Sequence, residues 1–338
     1  MNEKLQDKRK RTLDAVNHKE TDLVPWQFDL TRRFSQKVKE ERNCSDPDQY
    51  INNHIYLLKY KKNQLLPDGR EKDLFGVIWE KDKKGGDVGI VSEYILKEPT
   101  LEHYTLPQVN IEFCRNIGEL LEADQYNRFR VFGLTMNFFE RFWSLRSMEN
   151  ALMDMLLEET FTFELYDKIY EHHMEVLENI LSYDFEAVYF GDDWGQQNGL
   201  IMGPDLWKKY IKQPMKEMFD KIKSNGKKII LHSCGDLRTI MDDLVDIGLD
   251  VYNTVQPEIY DLKELKNKYG NHLTFYGGIS TQQFLPYATA QDTYTMSKET
   301  LKIMSKGGGY IFSPTHSVTD DIPVNNIDAM IHAVTDFH

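Results

Sequence analysis

Lys228-Ile229-Ile230-Leu231-His232-Ser233-Cys234-Gly235-Asp236 is an apolar run that ends in two metal-ligating side chains and a glycine. The run reads as a buried strand. Residues two apart on a strand lie on the same face, so His232 and Cys234 point the same way. Imidazole and thiolate are both good zinc ligands. A second polar group, Ser313-Pro314-Thr315-His316, follows the apolar run Tyr310-Ile311-Phe312. If those two strand ends are neighbours, His232, Cys234 and His316 converge. Three protein ligands with one open position is the layout of a catalytic zinc rather than a structural one.

Outward from this strand, apolar runs and helical stretches alternate. Strands are expected at 23–28, 129–134, 187–190, 251–255, 273–278 and 310–312. Helices are expected at 5–18, 46–66, 111–126, 147–181, 204–225, 236–247, 261–269, 290–305 and 323–337. Between 72 and 98 the pattern changes to two short runs around Lys83-Lys84-Gly85-Gly86-Asp87, a hairpin signal. Strands that alternate with helices predict a parallel sheet with helical crossovers. Their number, roughly eight, predicts an α/β fold of the (β/α)8 TIM-barrel type, with an N-terminal helical extension and a β-hairpin insertion. No internal repeat or low-complexity linker appears, so residues 1–338 read as one domain. No Gly-x-Gly-x-x-Gly follows a strand, which disfavours a dinucleotide site.

The formal net charge of -13 argues against a nucleic-acid or anionic-membrane partner. Cys44, Cys114 and Cys234 are too few and too irregular for a disulfide framework, so a reducing, cytoplasmic location is expected. The first residues lack the apolar core of a secretory signal, and no window has the ~18 apolar residues of a membrane span.

In a barrel the site lies at the C-terminal ends of the strands. The polar residues expected there as substrate-binding groups are Asp29, Asn137, Trp194, Gln196, Gln256 and Tyr276. Asp192 and Asp193 are the catalytic candidates. They read either as a paired-carboxylate acid/base site, or as one carboxylate that orients substrate or a metal ligand beside one that caps a loop. Trp194 and Trp26 read equally as an apolar wall or as core. Asp236, just before a helix, reads as a cap.

These residues resemble the uroporphyrinogen decarboxylase superfamily, which includes cobalamin-dependent methyltransferases. The resemblance is carried by residues 8–25, by Gly191-Asp192-Asp193-Trp194-Gly195-Gln196-Gln197, by His232-Ser233-Cys234-Gly235, by Asn253-Thr254-Val255-Gln256 and by Gly308-Gly309-Tyr310-Ile311-Phe312-Ser313-Pro314. It covers nearly the whole chain and implies a (β/α)8 barrel. The methyltransferase branch, including methylcobalamin:coenzyme M methyltransferases, holds zinc with a His-x-Cys motif and a Cys at the end of the last strand. Here His316 stands in the place of that Cys, which leaves a competent but less thiolate-rich site. The decarboxylase branch is metal-free and carries a His after the last strand. Its Arg-containing loop reads here as Gln27-Phe28-Asp29-Leu30-Thr31-Arg32-Arg33, out of pattern, and its Phe-Ser-Asp motif has no counterpart.

The resemblance therefore implies a zinc-dependent methyltransferase. It would move a methyl group between a corrinoid (methylcobalamin), carried on a separate protein, and a thiol or similar small-molecule acceptor. Metal-free decarboxylation of a polycarboxylate and a non-catalytic corrinoid- or tetrapyrrole-binding barrel are the rival expectations. Oligomeric state stays open, with a homodimer allowed.

Overall fold

The computed structural model describes residues 7–61, 63–81 and 89–337. Its strands are β1 (Ile55–Lys59), β2 (Gln64–Leu65), β3 (Glu71–Lys72), β4 (Ile78–Lys81), β5 (Gly89–Glu93), β6 (Phe129–Thr135), β7 (Ala187–Gly191), β8 (Gly195–Gln196), β9 (Gly199–Leu200), β10 (Lys228–His232), β11 (Val251–Val255), β12 (Thr274–Ile279) and β13 (Tyr310–Pro314). Seven of them form one curled sheet in the order β1-β6-β7-β10-β11-β12-β13, every pair parallel. All seven C-terminal ends therefore reach the same rim.

Strands covered on both faces are apolar on both. On the inner face, Ile55, Phe129, Val131, Ala187, Ile230, Val251 and Ile311 pack with Leu13 and Val16 of the N-terminal helix Lys8–Val16. On the outer face, Phe132, Val188, Phe190, Ile229, Leu231, Phe275 and Phe312 join the large core shared with the crossover helices. The N-terminal helix thus closes the inner face, and Gly309 N–H donates to Ala15 O at 3.0 Å.

Both edges of the sheet are tied to residues 24–28. Trp26 forms a parallel bridge with Phe312, with Gln27 N–H donating to Phe312 O (3.1 Å) and Phe312 N–H to Pro25 O (2.9 Å). On the other side His54 N–H donates to Trp26 O at 3.0 Å. The expected strand at 23–28 is thus reduced to a single bridge. Pro25 has no N–H to give to a ladder, and side chains stand in for backbone. Ile55 N–H donates to Gln27 Oε1 (3.0 Å) and Phe28 N–H to Asn53 Oδ1 (2.8 Å).

Four expected helices are corrected: 111–126 holds Ile111–Arg115 and Ile117–Glu122, 147–181 holds Met148–Leu157 and Glu159–Ile180, and two more change further. The stretch 46–66 holds only the short helix Pro47–Ile51, which stops at Asn52 in the left-handed region (φ 63°), and β1 and β2 follow. Ile55-Tyr56-Leu57 pairs along β6, and sheet burial outweighs local helix propensity there. The stretch 236–247 forms a 3-10 turn (Arg238–Ile240) and the helix Met241–Asp246. The expected hairpin is present as the antiparallel pair β4–β5 and extends through β2 and β3 to four strands. Its predicted Gly85-Gly86 turn lies outside the described residues. Trp79 of β4 packs edge-on against Trp143, with ring centroids 6.2 Å apart, so this sheet lies against the helix Phe139–Arg146. Among the described residues no helix is long and apolar enough to cross a membrane.

Candidate metal centre

β10 lies between β7 and β11, with His232 level with Gly191 on one side and Asn253 on the other. His232 shares the inner face with Ile230 and so points into the rim. The chain then leaves the strand through Ser233, Cys234 and Gly235. This loop is held by the loop after β7: Cys234 N–H donates to Asp193 Oδ1 (2.9 Å), Trp194 N–H to Ser233 Oγ (2.9 Å), and Gly195 N–H to Cys234 O (3.1 Å). The two backbones meet so closely that a Cβ on Gly235 would lie 2.2 Å from Gly195 C. Gly235 also has φ +86°, so glycine is required there twice over.

His316 comes from the loop after β13. Its neighbour Thr315 is fixed by N–H donation to Ile279 O (2.8 Å), and Thr281 N–H donates to Thr315 Oγ1 (3.1 Å). One ligand atom each from His232, Cys234 and His316 lies within 4.8 Å of the other two, and Cys234 Sγ is 3.7 Å from His232 Nε2. Zinc bonds of roughly 2.0–2.3 Å in a tetrahedron put neighbouring ligand atoms about 3.3–3.8 Å apart. The nitrogen–sulfur pair already has that spacing, and the donor set fits zinc.

The orientation of His232 is set by its other nitrogen. Nδ1 lies 2.6 Å from Asn253 Oδ1, while Asn253 Nδ2 donates to Tyr276 O (3.2 Å). A carbonyl only accepts, so the Asn253 amide nitrogen is committed to Tyr276 and its oxygen faces the imidazole. Nδ1 therefore carries the proton and Nε2 presents its lone pair to the centre. Metal-bound histidines are held in this way.

Without a cation the surroundings oppose a thiolate. Burial pushes the Cys234 thiol up, and the charges of Asp193 and Glu140 push it further. Loss of solvation, then the charge of His232, holds His316 below its ordinary value. Burial, then Asp192 and Asp193, drives the Glu140 carboxyl well above the usual carboxylate range. A bound divalent cation reverses the logic at the sulfur, because a coordinated thiol is deprotonated.

A cleft of about 460 Å³ opens over these groups. Of the predicted residues, His232, His316, Asp193, Asp29 and Tyr276 line it. The others do not. Asp192 is fully buried and accepts hydrogen bonds from Phe138 N, Phe139 N, Glu140 N and Trp194 Nε1, so it anchors the start of the helix Phe139–Arg146. Burial pushes its carboxyl up to about 6 against the Glu140, Trp194 and Phe139 donors. Trp194 is fully buried against Trp207, and Asn137 donates to Leu134 O and Gly191 O. Gln256 Oε1 accepts from Gly235 N–H (2.7 Å) and so supports the Cys234 loop from behind. Gln196 is exposed on the β8–β9 ribbon.

Four cleft or supporting residues escaped the sequence reading. Asn253 sits within a quoted motif but has no signal of its own. Glu140 stands five residues past the end of β6, where a scan of charged residues after each strand finds it. Tyr189 faces inward on β7. Lys59 was hidden inside a stretch read as helix.

Residues 82–337 match the family model described as uroporphyrinogen decarboxylase (URO-D). Two curated relatives are methylcobamide:CoM methyltransferases MtaA, from Methanosarcina barkeri and from its strain Fusaro / DSM 804. They are 23% and 22% identical over 138 residues. Each alignment covers 41% of this chain and 38% of the relative, so the chain spans well under half the length of the curated relatives it matches. Among solved structures, a methyltransferase from Methanosarcina mazei superposes with a TM-score of 0.76 at 16% identity, covering 98% of both chains. At that identity the superposition speaks for the fold.

Proposed function

The chain belongs to the uroporphyrinogen decarboxylase family, and on that premise we propose that it moves a methyl group between a corrinoid and a thiol or similar acceptor, with zinc held by His232, Cys234 and His316. The convergence of those three ligand atoms within 4.8 Å carries the reading. Similarity to methylcobamide:CoM methyltransferases supports it. The ties from residues 24–28 to β1 and β13 support a single closed (β/α)8 barrel domain, with the site at the rim such barrels use.

Zinc, when bound, lowers the pKa of a coordinated thiol and so supplies a nucleophile at neutral pH. The chain's own residues prepare the place for it. Asn253 fixes the His232 tautomer. Asp193 accepts the Cys234 N–H and lies 3.5 Å from His232 Nε2, so one carboxylate holds both candidate ligands at the end of β10. Tyr189 and Tyr276 stay phenolic, since burial and then the Asp29 charge hold both well above the ordinary value. Both are hydrogen-bond donors at the cleft wall. The corrinoid is assigned to a separate carrier protein.

Metal-free decarboxylation is the second reading, favoured by a histidine rather than a cysteine after the last strand. Elemental analysis of protein purified without chelator, beside Cys234→Ala and His316→Ala, separates the two. About one zinc per chain, absent in the first variant and weakened in the second, supports the methyltransferase. Full occupancy in Cys234→Ala sinks the ligand assignment. No metal even after zinc is supplied moves decarboxylation to the front.

A further inference from the structure

The turn that carries Cys234 is fastened from two sides. The loop after β7 grips one side through Asp193 and Gly195. On the other side stand two phenols, Tyr252 of β11 and Tyr260 of the loop that follows it. Both are buried, Tyr252 fully, and neither lines the cleft. Their rings meet edge to face with centroids 6.0 Å apart, and their hydroxyl oxygens are 2.9 Å apart. Tyr260 Oη donates to Gly235 O (3.0 Å) and accepts from Leu237 N–H (2.9 Å). Tyr252 Oη lies 3.4 Å from Ser233 O.

A phenol has one proton to give and two lone pairs to receive. Tyr260 gives its proton to Gly235 O, so the Tyr252 proton runs to Tyr260. The reverse arrangement would leave Gly235 O without a donor and lean on the longer contact to Ser233 O. The Tyr260 hydroxyl is then saturated, and it spans the turn from Gly235 to Leu237. With it in place every N–H from Ser233 to Leu237 has a partner: Asn253 O, Asp193 Oδ1, Gln256 Oε1, Gln196 O and Tyr260 Oη in order. Packing alone does not call for these hydroxyls. Phenylalanine would fill the same apolar core without the cost of desolvating a polar group. What the hydroxyls add is a fixed course for the backbone that presents Cys234 Sγ 3.7 Å from His232 Nε2. A free turn loses conformational entropy when a metal draws its ligands together, and a turn already held loses little.

We propose that Tyr252 and Tyr260 are positioning residues for the metal centre: the hydroxyl pair sets the Cys234 turn before a metal arrives, with Tyr260 as the direct support and Tyr252 acting through it. The inference rests on the zinc reading for the ligand role of Cys234, and on hydrogen bonding alone for the course of the turn.

Tyr260→Phe, Tyr252→Phe, the double variant and Tyr310→Phe test it. Tyr310 supplies the control. It is another buried phenol that donates to a backbone carbonyl, Gly277 O at 2.8 Å, and it stands at the start of β13, the end of the sheet opposite the rim. Zinc affinity is read by chelator competition, and thiolate ligation by the sulfur-to-metal charge-transfer band of the cobalt-loaded proteins. In the metal-free proteins, alkylation of Cys234 by iodoacetamide is followed by peptide mapping. Loss of an outer support of this kind corresponds to about 10–100-fold in metal affinity. Tyr260→Phe should fall in that range with a weaker charge-transfer band, and its Cys234 should alkylate faster. Tyr252→Phe should lose less, and the double variant no more than Tyr260→Phe, as two groups acting in series require. Tyr310→Phe should lower the melting temperature like the others and leave zinc, cobalt and alkylation as in wild type. If Tyr260→Phe lowers the melt but leaves zinc affinity and alkylation unchanged, or if Tyr310→Phe weakens zinc equally, the hydroxyls only stabilise the fold and the proposal is overturned. If none of the proteins takes up zinc while alkylation still follows Tyr260, the metal reading fails and the positioning of Cys234 stands.

Discussion

Asn253→Ala is the most direct probe of how the centre is built. The Asn253 oxygen is 2.6 Å from His232 Nδ1, and its amide nitrogen is 3.2 Å from Tyr276 O. Removing the side chain leaves a partly buried Nδ1–H and a buried carbonyl unpaired. It also removes what selects the tautomer with the lone pair on Nε2. Loss of such an outer partner costs about 10–100-fold in metal affinity, which is about 1.4–2.7 kcal/mol. The unpaired groups cost about 1–3 kcal/mol of stability. With an unfolding entropy of about 2.1 cal/mol/K per residue, a chain this long loses roughly 1.4 °C of Tm per kcal/mol, so a drop of about 1–4 °C is expected.

The assay is zinc competition against a chromophoric chelator for wild type, Asn253→Ala and Asn253→Asp, with imidazole nitrogen shifts of the metal-free protein read by NMR. Asn253→Asp keeps an acceptor at Nδ1 and should retain affinity, while it gives up the bond to Tyr276 O. In Asn253→Ala the NMR signal should show a mixture of tautomers where wild type shows one. Zinc affinity within twofold of wild type, together with an unchanged single tautomer, would refute the argument that Asn253 sets the ligand.

Asp192→Asn should lower stability without touching the cleft. The amide keeps one acceptor oxygen but turns its NH2 toward one or more of the four N–H donors that the carboxylate now satisfies. About 2–4 kcal/mol is expected from those bonds, or roughly 3–6 °C in a thermal melt at pH 7.5. An unchanged melt, or loss of zinc with the melt unchanged, would contradict its role as an anchor. Lys266 donates to Gly308 O at 2.6 Å, and burial pushes its pKa down to about 8. Its folded value lies below its unfolded one, so the folded state holds fewer protons between about 8 and the ordinary lysine value near 10.5. Stability gains from this group as pH rises through that window. Denaturant melts of Lys266→Met should show a flatter profile than wild type from pH 8 to 10.5, and an identical slope would count against the buried ammonium.

The strands legible in the sequence were those buried on both faces. β6, β7, β10, β11, β12 and β13 are short, largely apolar and buried runs bounded by helical patterns. Their order also placed His232 and His316 at one rim. β1 was missed because Ile55-Tyr56-Leu57-Leu58-Lys59 is short and follows a proline-started helix, and only pairing with β6 makes it a strand. That one misreading also concealed Lys59. The adjacent carboxylates Asp192 and Asp193 could not be told apart in sequence, since which neighbour turns toward the cleft depends on where the loop after β7 goes. Asn137, Trp194 and Gln256 were polar in the right place for another reason. A rim of loops has many backbone groups to satisfy, and these side chains serve the loops themselves. The spacing of the three candidate ligands needed the backbone approach of Gly195 to Gly235, which no periodicity records.

The tie between residues 24–28 and β13 has a consequence for how the molecule is made. Every other contact within the main sheet joins strands that are neighbours in the chain or separated by one insertion. Trp26 must wait for Phe312, 286 residues later. At roughly 5–20 residues per second on a ribosome, that is a delay of about 14–57 s. Through it Trp26 and Phe28, both fully buried at the end, have only the β1 side to lean on. Nascent chains therefore carry an apolar clasp that stays open until Phe312 has been made. Handling by chaperones should concentrate on Trp26 and Phe28 while β13 is still unmade.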